Sequence, residues 1–122
     1  MWVGAALALP ASAQRLRPPE TLKCPSDKLT SFTGKVTRYT RVSDRISFSM
    51  RTDEDTFERF TLKVDKRKSP ASLFLMNGEP FMEKDWAKIE AAKGSLLPRM
   101  RATVWVCEGG ANPVVDWRPP RE

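Results

Sequence analysis

The stretch KVTRYTRVSDRISFSMRT, residues 35–52, decides how the rest of the chain is read. From Arg45 onward, apolar residues (Ile46, Phe48, Met50) alternate strictly with polar ones (Arg45, Ser47, Ser49, Arg51). A period of two marks a strand with one buried face and one wet face. The wet face here is small, hydroxylated and cationic. Just before it, VSD at residues 42–44 serves as a turn, its Ser and Asp able to bond the local backbone.

On the upstream side, FTGKVTRYTR (residues 32–41) is rich in the β-favouring Thr, Val and Tyr. Gly34 lies near its start, where a bend or bulge is easily made. The phase of this strand is the open point, because Arg38 would face inward unless the chain bulges or ends there. Downstream, DED at 53–55 is a polar hairpin loop, and TFERFTLKV (56–64) is a third strand in which Phe60, Leu62 and Val64 alternate with Arg59, Thr61 and Lys63.

DKRKSPAS (65–72) breaks the pattern. The Asn77-Gly78 pair, flanked by apolar residues, signals a tight hairpin. A helix is expected over residues 83–92, with Met82, Trp86 and Ile89 as its apolar stripe and Gly94 as its stop. MRATVWVCE (100–108) reads as a strong strand, GGAN (109–112) as a loop and PVVDWR (113–118) as a last short strand, followed by a coil tail at 119–122.

The order is three meandering strands, a segment with one helix, and two more strands. That order, the size and the early glycine resemble the OB-fold, a mainly β, five-stranded Greek-key barrel with a helix between strands three and four. The resemblance, one of topology, covers about Ser31 to Trp117 within a barrel read at 31–118, and small exported bacterial OB-fold proteins are the group the chain looks like. Some of these bind haem through an exposed histidine, and this chain has no histidine. The alternative folds are another small β-barrel or an α+β roll.

With 122 residues the chain has room for one small domain. The 21 Lys and Arg against 15 Asp and Glu leave +6, a balance that suits anionic partners as well as plain solubility. The lack of histidine removes the usual general base, the Ser-His-Asp and Cys-His constellations and the commonest transition-metal ligand. Neither a phosphate-binding glycine loop nor a nucleophile motif is present, so no enzyme, cofactor or metal is expected.

Residues 1–13 run apolar and end in Ala11-Ser12-Ala13, a small-x-small pattern that reads as a signal peptide cleaved after Ala13. No Lys or Arg precedes the apolar run, so the first residue given need not be the true start. Residues 14–30 read as an extended leader. Cys24 and Cys107, the only two cysteines, are expected to form a structural disulfide in an oxidising compartment, periplasmic or secreted. The bridge would close a loop of roughly eighty residues, worth about 4–5 kcal/mol in the chain-entropy account.

If strands one to three form the meander, Val36, Ile46, Phe48, Met50, Phe60, Leu62 and Val64 face inward. Lys35, Thr37, Tyr39, Arg45, Ser47, Ser49, Arg51, Arg59, Thr61 and Lys63 then face outward. The OB-fold resemblance makes this outer face the expected ligand surface. Its cations and hydroxyls suit phosphate or sulfate oxygens. Single-strand nucleic-acid readers stack bases on exposed aromatics, and this face offers only Tyr39 and Phe57, so nucleic acid is the less favoured partner. The expectation is a non-catalytic binding module for an anionic ligand or envelope polymer. The alternative is a structural or protein-interaction module that docks a partner on the barrel edge or through Trp117 near the C-terminal tail.

Overall fold

The computed structural model describes residues 18–19, 24–65, 67–109 and 112–120. The expected signal peptide at 1–13 lies outside these residues. After a 3-10 turn at Ser26–Lys28, β1 (Leu29–Val42), β2 (Arg45–Thr52) and β3 (Phe57–Lys63) form the meander. A second 3-10 turn (Pro70–Leu73) leads into β4 (Phe74–Met76) and β5 (Glu79–Pro80). Next come a 3-10 turn (Glu83–Asp85), α1 (Trp86–Ile89), β6 (Glu90–Ala92), β7 (Ser95–Leu96), β8 (Arg101–Cys107) and β9 (Val114–Arg118).

The mainly β expectation holds, but the strand count does not. Seven strands form one sheet in the order β3-β2-β1-β8-β9-β4-β5, and β6-β7 is a separate hairpin. The five long strands are those read from the sequence; the other four span only two or three residues each, β4 and β5 being the arms of the Asn77-Gly78 hairpin and β6 and β7 unforeseen. β1 starts at Leu29, so the leader read at 14–30 gives way to strand two residues early. β8 returns to lie antiparallel to β1, and β4 joins β9 in parallel. A closed barrel is not seen: β3 and β5 are the sheet edges. At the end of β3 the Asn112 side chain stands in for a strand partner, accepting from Lys63 N and donating to Lys63 O, both at 2.8 Å.

The helix expected over 83–92 is a single turn. Asp85 starts it by accepting the Met82 N–H at 2.8 Å. It ends at Ile89 because Glu90 is drawn into an extended backbone, φ −120° and ψ 135°, with its carboxylate aimed at β1. Gly94, expected to stop the helix, instead takes the positive φ of the β6–β7 turn. The Asn77-Gly78 hairpin forms as read, with φ of 51° and 83° at its two turn residues.

Gly34 is required by close approach, not by a bulge. A Cβ there would sit 2.1 Å from the Arg51 carbonyl oxygen, because β1 is pressed between β2 and β8 at that point. The bulge lies further on, at Arg38 and Tyr39, where β1 gains one residue on β2 between the Thr37–Ser49 and Thr40–Ser47 pairs. Strict alternation would turn Arg38 into the core. Burying an unpaired guanidinium costs several kcal/mol, whereas a left-handed residue costs about 1–2 kcal/mol. The chain takes the second option, with Arg38 at φ 49° and exposed.

The core holds the inward set as expected, Val64 being half-buried. An aromatic chain crosses it, from Phe32 through Phe60 and Phe48 to Trp117, then Phe74, Phe81 and Trp86, with successive ring centroids 5.1–5.6 Å apart. Trp117 is fully buried, which rules it out as an exposed anchor for a partner. The Cys24–Cys107 disulfide is present and ties the segment before β1 to the end of β8.

Candidate functional site

Antiparallel register arranges the outer face of the meander into rows. Val42, Arg45 and Lys63 form one; Thr40, Ser47 and Thr61 the next; then Thr37, Ser49 and Arg59; then Lys35, Arg51 and Phe57. Of the expected site residues, Lys35, Arg45, Arg51, Arg59, Thr61 and Lys63 are exposed there, and Thr37 is half-exposed.

Two expected residues are not available on this face. Tyr39 is buried, because the Arg38 bulge inverts the phase of β1 beyond Thr37 and turns the phenol inward. Ser47 is also buried, its hydroxyl 3.0 Å from that of Thr40. Tyr39 instead donates to the Glu90 carboxylate at 2.5 Å, beside Arg41, whose Nε and Nη2 reach the same carboxylate at 2.8 and 2.6 Å. The Arg41 guanidinium lies 4.1 Å from the Trp86 ring centroid, a cation–π contact. Burial alone would raise the Glu90 carboxyl, but hydrogen bonds from Arg41 and Tyr39 outweigh it and hold the group below the usual carboxylate range. Burial and the adjacent carboxylate push the Tyr39 phenol well above its ordinary value. This trio is structural: it locks the β6–β7 hairpin against β1.

The row that begins with Phe57 does not stop at β1. Lys35 lies opposite Arg51 on one side and Arg101 on the other, and Arg101 lies opposite Arg118. Four cations, Arg51, Lys35, Arg101 and Arg118, therefore stand side by side on four adjacent strands, with the exposed Phe57 ring at one end. Strands in a sheet lie about 4.8 Å apart, so the four side chains leave the sheet at about that interval. The arginines have acidic partners: Asp55 on Arg51, Asp53 on Arg101 and Asp116 on Arg118, at 2.6–2.7 Å. Asp55 and Asp53 are exposed, and exposed ion pairs contribute only about 0–1 kcal/mol, so an incoming anion can compete for Arg51 and Arg101; Asp116 is buried, at 6% side-chain exposure, and holds Arg118 more firmly. Lys35 has no ion pair among the described residues.

Sequence reasoning placed Lys35 and Arg51 in this stripe but missed Arg101 and Arg118. Only the return of β8 beside β1 brings them in. The signal was present as alternation, since Arg101, Thr103 and Trp105 share one face of β8, but nothing local says which strand that face adjoins.

Two shallow depressions adjoin the stripe. One, of about 350 Å³, is lined by Thr37, Arg38, Ser49, Phe57, Glu58 and Arg59. The other, of about 560 Å³, runs between β1 and the segment from Gly94 to Arg99. Both fall in the size range of small-ligand sites, about 300–1,000 Å³. Among the described residues no group of three or more His, Cys, Asp or Glu is placed to hold a metal ion. Against family models, curated proteins and solved structures alike, the chain shows no match.

Proposed function

We propose that the chain is an exported, non-catalytic binding module of OB-fold-like architecture that holds an anionic ligand or envelope polymer on its basic outer face. The strand order supports the architecture: three hairpin-linked strands and a fourth that returns beside the first make a Greek key. Export is supported by the apolar segment at residues 1–13 and by the disulfide, which belongs to oxidising compartments such as the periplasm or the exterior. No helix among the described residues is long and apolar enough to cross a membrane.

The observation that carries the ligand reading is the cationic stripe. Like charges directly opposite one another on neighbouring strands destabilise a sheet. Here that arrangement occurs three times in one row, at Arg51–Lys35, Lys35–Arg101 and Arg101–Arg118. Aspartates offset the three arginines, but Lys35, placed between Arg51 and Arg101, has no ion pair among the described residues, and a local rule broken there without compensation supports a functional surface. The non-catalytic half rests on the absence of histidine and of nucleophile motifs in the sequence. It is supported by the three buried acids among the described residues: Glu90 is committed to Arg41 and Tyr39, Asp85 to Met82 N–H and Lys88, and Asp116 to Gly78 N–H and Arg118.

The test is a titration of the purified, disulfide-intact protein against fluorescent single-stranded DNA, an acidic polysaccharide and anionic lipid vesicles, each at low and physiological salt. One class should bind with a steep salt dependence. Binding should be lost in the triple variant Lys35→Glu, Arg51→Glu, Arg101→Glu, with the melting curve checking its fold. Binding that survives the triple reversal, or no binding of any class at low salt, sinks the reading.

A further inference from the structure

β1 leaves β8 after Lys35, the last residue in their register, and from there its second half runs alongside the β6–β7 hairpin and the turn that follows. The Val36 N–H to Met100 O bond (2.9 Å) pins the two sides together at one end, and the bonds of Tyr39 and Arg41 to Glu90 at the other. Between these pins lies the 560 Å³ groove.

Two arginines line this groove, and both sit in left-handed backbone, Arg38 at φ 49° and Arg99 at φ 60°. Arg99 follows Pro98 in a turn, at a position where glycine or asparagine is the ordinary choice. Arg38 is the extra residue of a bulge, where glycine is again the usual solution to a positive φ. Both side chains are exposed, and neither has an ion pair or a side-chain hydrogen bond among the described residues. Strained backbone held at two long cationic residues that meet in one groove is the kind of outlier that function retains.

Arg38 and Thr37 also line the 350 Å³ depression on the other side, where Arg59 and the exposed Phe57 complete the wall. The two depressions therefore adjoin at the β1 bulge, with Thr37 and Arg38 lining both. Lys35, Arg38, Arg59 and Arg99 line the pair, Thr37, Ser49 and Ser95 add hydroxyls, and Glu58 is the one carboxylate in either lining. A ligand that fits carries several anionic groups with hydroxyls between them.

We infer that the two adjoining depressions act as one ligand-binding cleft and that its ligand is an acidic oligosaccharide, gripped by Arg38 and Arg99 on either side of the groove. The inference rests on the anionic-ligand reading above and narrows it. A nucleic acid of similar charge would need a row of aromatic platforms, and Phe57 is the one large aromatic exposed here. A lipid surface would need more exposed apolar side chains than Phe57 supplies. Fork-shaped guanidinium groups match carboxylate or sulfate, and the hydroxyls match sugar rings.

The test compares wild type with Arg38→Gly and Arg99→Gly, using the purified disulfide-intact protein, labelled galacturonate oligomers from dimer to hexamer, and labelled oligo(dT). Glycine relieves the backbone while removing the guanidinium, so each variant should melt at the same temperature as wild type or higher. Each should lose about tenfold or more in affinity for the hexamer, the scale of losing a charge-assisted bidentate contact. In wild type, affinity should rise with oligomer length. Unchanged affinity in both glycine variants, or a lower melting temperature in both, overturns the inference. Binding of oligo(dT) without galacturonate would overturn it too, yet leave the anionic-face reading standing. Binding of neither probe at low salt would remove both.

Discussion

Truncating Glu90 to Ala removes the acceptor for three buried or half-buried donor atoms at once. The carboxylate side chain is 3% exposed and Arg41 17%, with N···O separations of 2.6 and 2.8 Å, and the Tyr39 hydroxyl arrives at 2.5 Å. Breaking a buried ion pair by deleting one partner costs about 3–5 kcal/mol. The access that water has to Arg41 places this pair at the lower end, about 3 kcal/mol. The stranded Tyr39 hydroxyl adds about 1 kcal/mol. A total near 4 kcal/mol corresponds to a fall in Tm of roughly 15 °C for a domain of this size. Arg41→Met should cost a similar amount, because it leaves the carboxylate buried without its cation. The double variant should cost about 2 kcal/mol less than the sum of the two, since the second deletion removes a group already stranded. The assay is urea and thermal unfolding followed by tryptophan fluorescence in all four proteins. Additivity within about 0.5 kcal/mol would refute the reasoning, because it would mean that water replaces each partner without loss.

Gly34→Ala should destabilise by about 3 kcal/mol or more, since its Cβ would meet the Arg51 oxygen at 2.1 Å and the Thr52 Cα at 2.6 Å, both main-chain atoms of β2. Gly109→Ala is the control: it has a φ of 71° and nothing within 4 Å of the added Cβ, and should cost only about 1–2 kcal/mol. Equal losses in urea unfolding would show that the close approach at Gly34 is not what matters. For pH, Glu90 and Asp85 are both depressed in the folded protein, Asp85 by the Met82 N–H first and then by Lys88 against the opposing effect of burial. Their contribution is therefore present above the ordinary carboxylate values, near 4, and is lost as pH falls through the lower folded values. Tyr39 is raised, so its contribution is full below about pH 10 and fades above it. Tm should drop on both limbs; Glu90→Gln should flatten the acid limb and Tyr39→Phe the alkaline one. Limbs parallel to wild type in these variants would contradict the assignment.

Alternation alone determined much of this protein. Residues 45–52 show their buried and wet faces in sequence because a strand's period of two is a local property, and the Asn77-Gly78 hairpin is legible for the same reason. The disulfide followed from there being only two cysteines. Tertiary structure decided what depends on distant neighbours. The expected helix stops at Ile89 because Glu90 is claimed by Tyr39 and Arg41, about fifty residues upstream in the chain. Tyr39 faces inward because a bulge is less costly than burying Arg38, a comparison that needs the core to exist. Arg101 and Arg118 join Lys35 and Arg51 only through the return of β8 beside β1. Local chemistry sets which face of a strand is wet; pairing between strands far apart in sequence sets which wet faces become one surface.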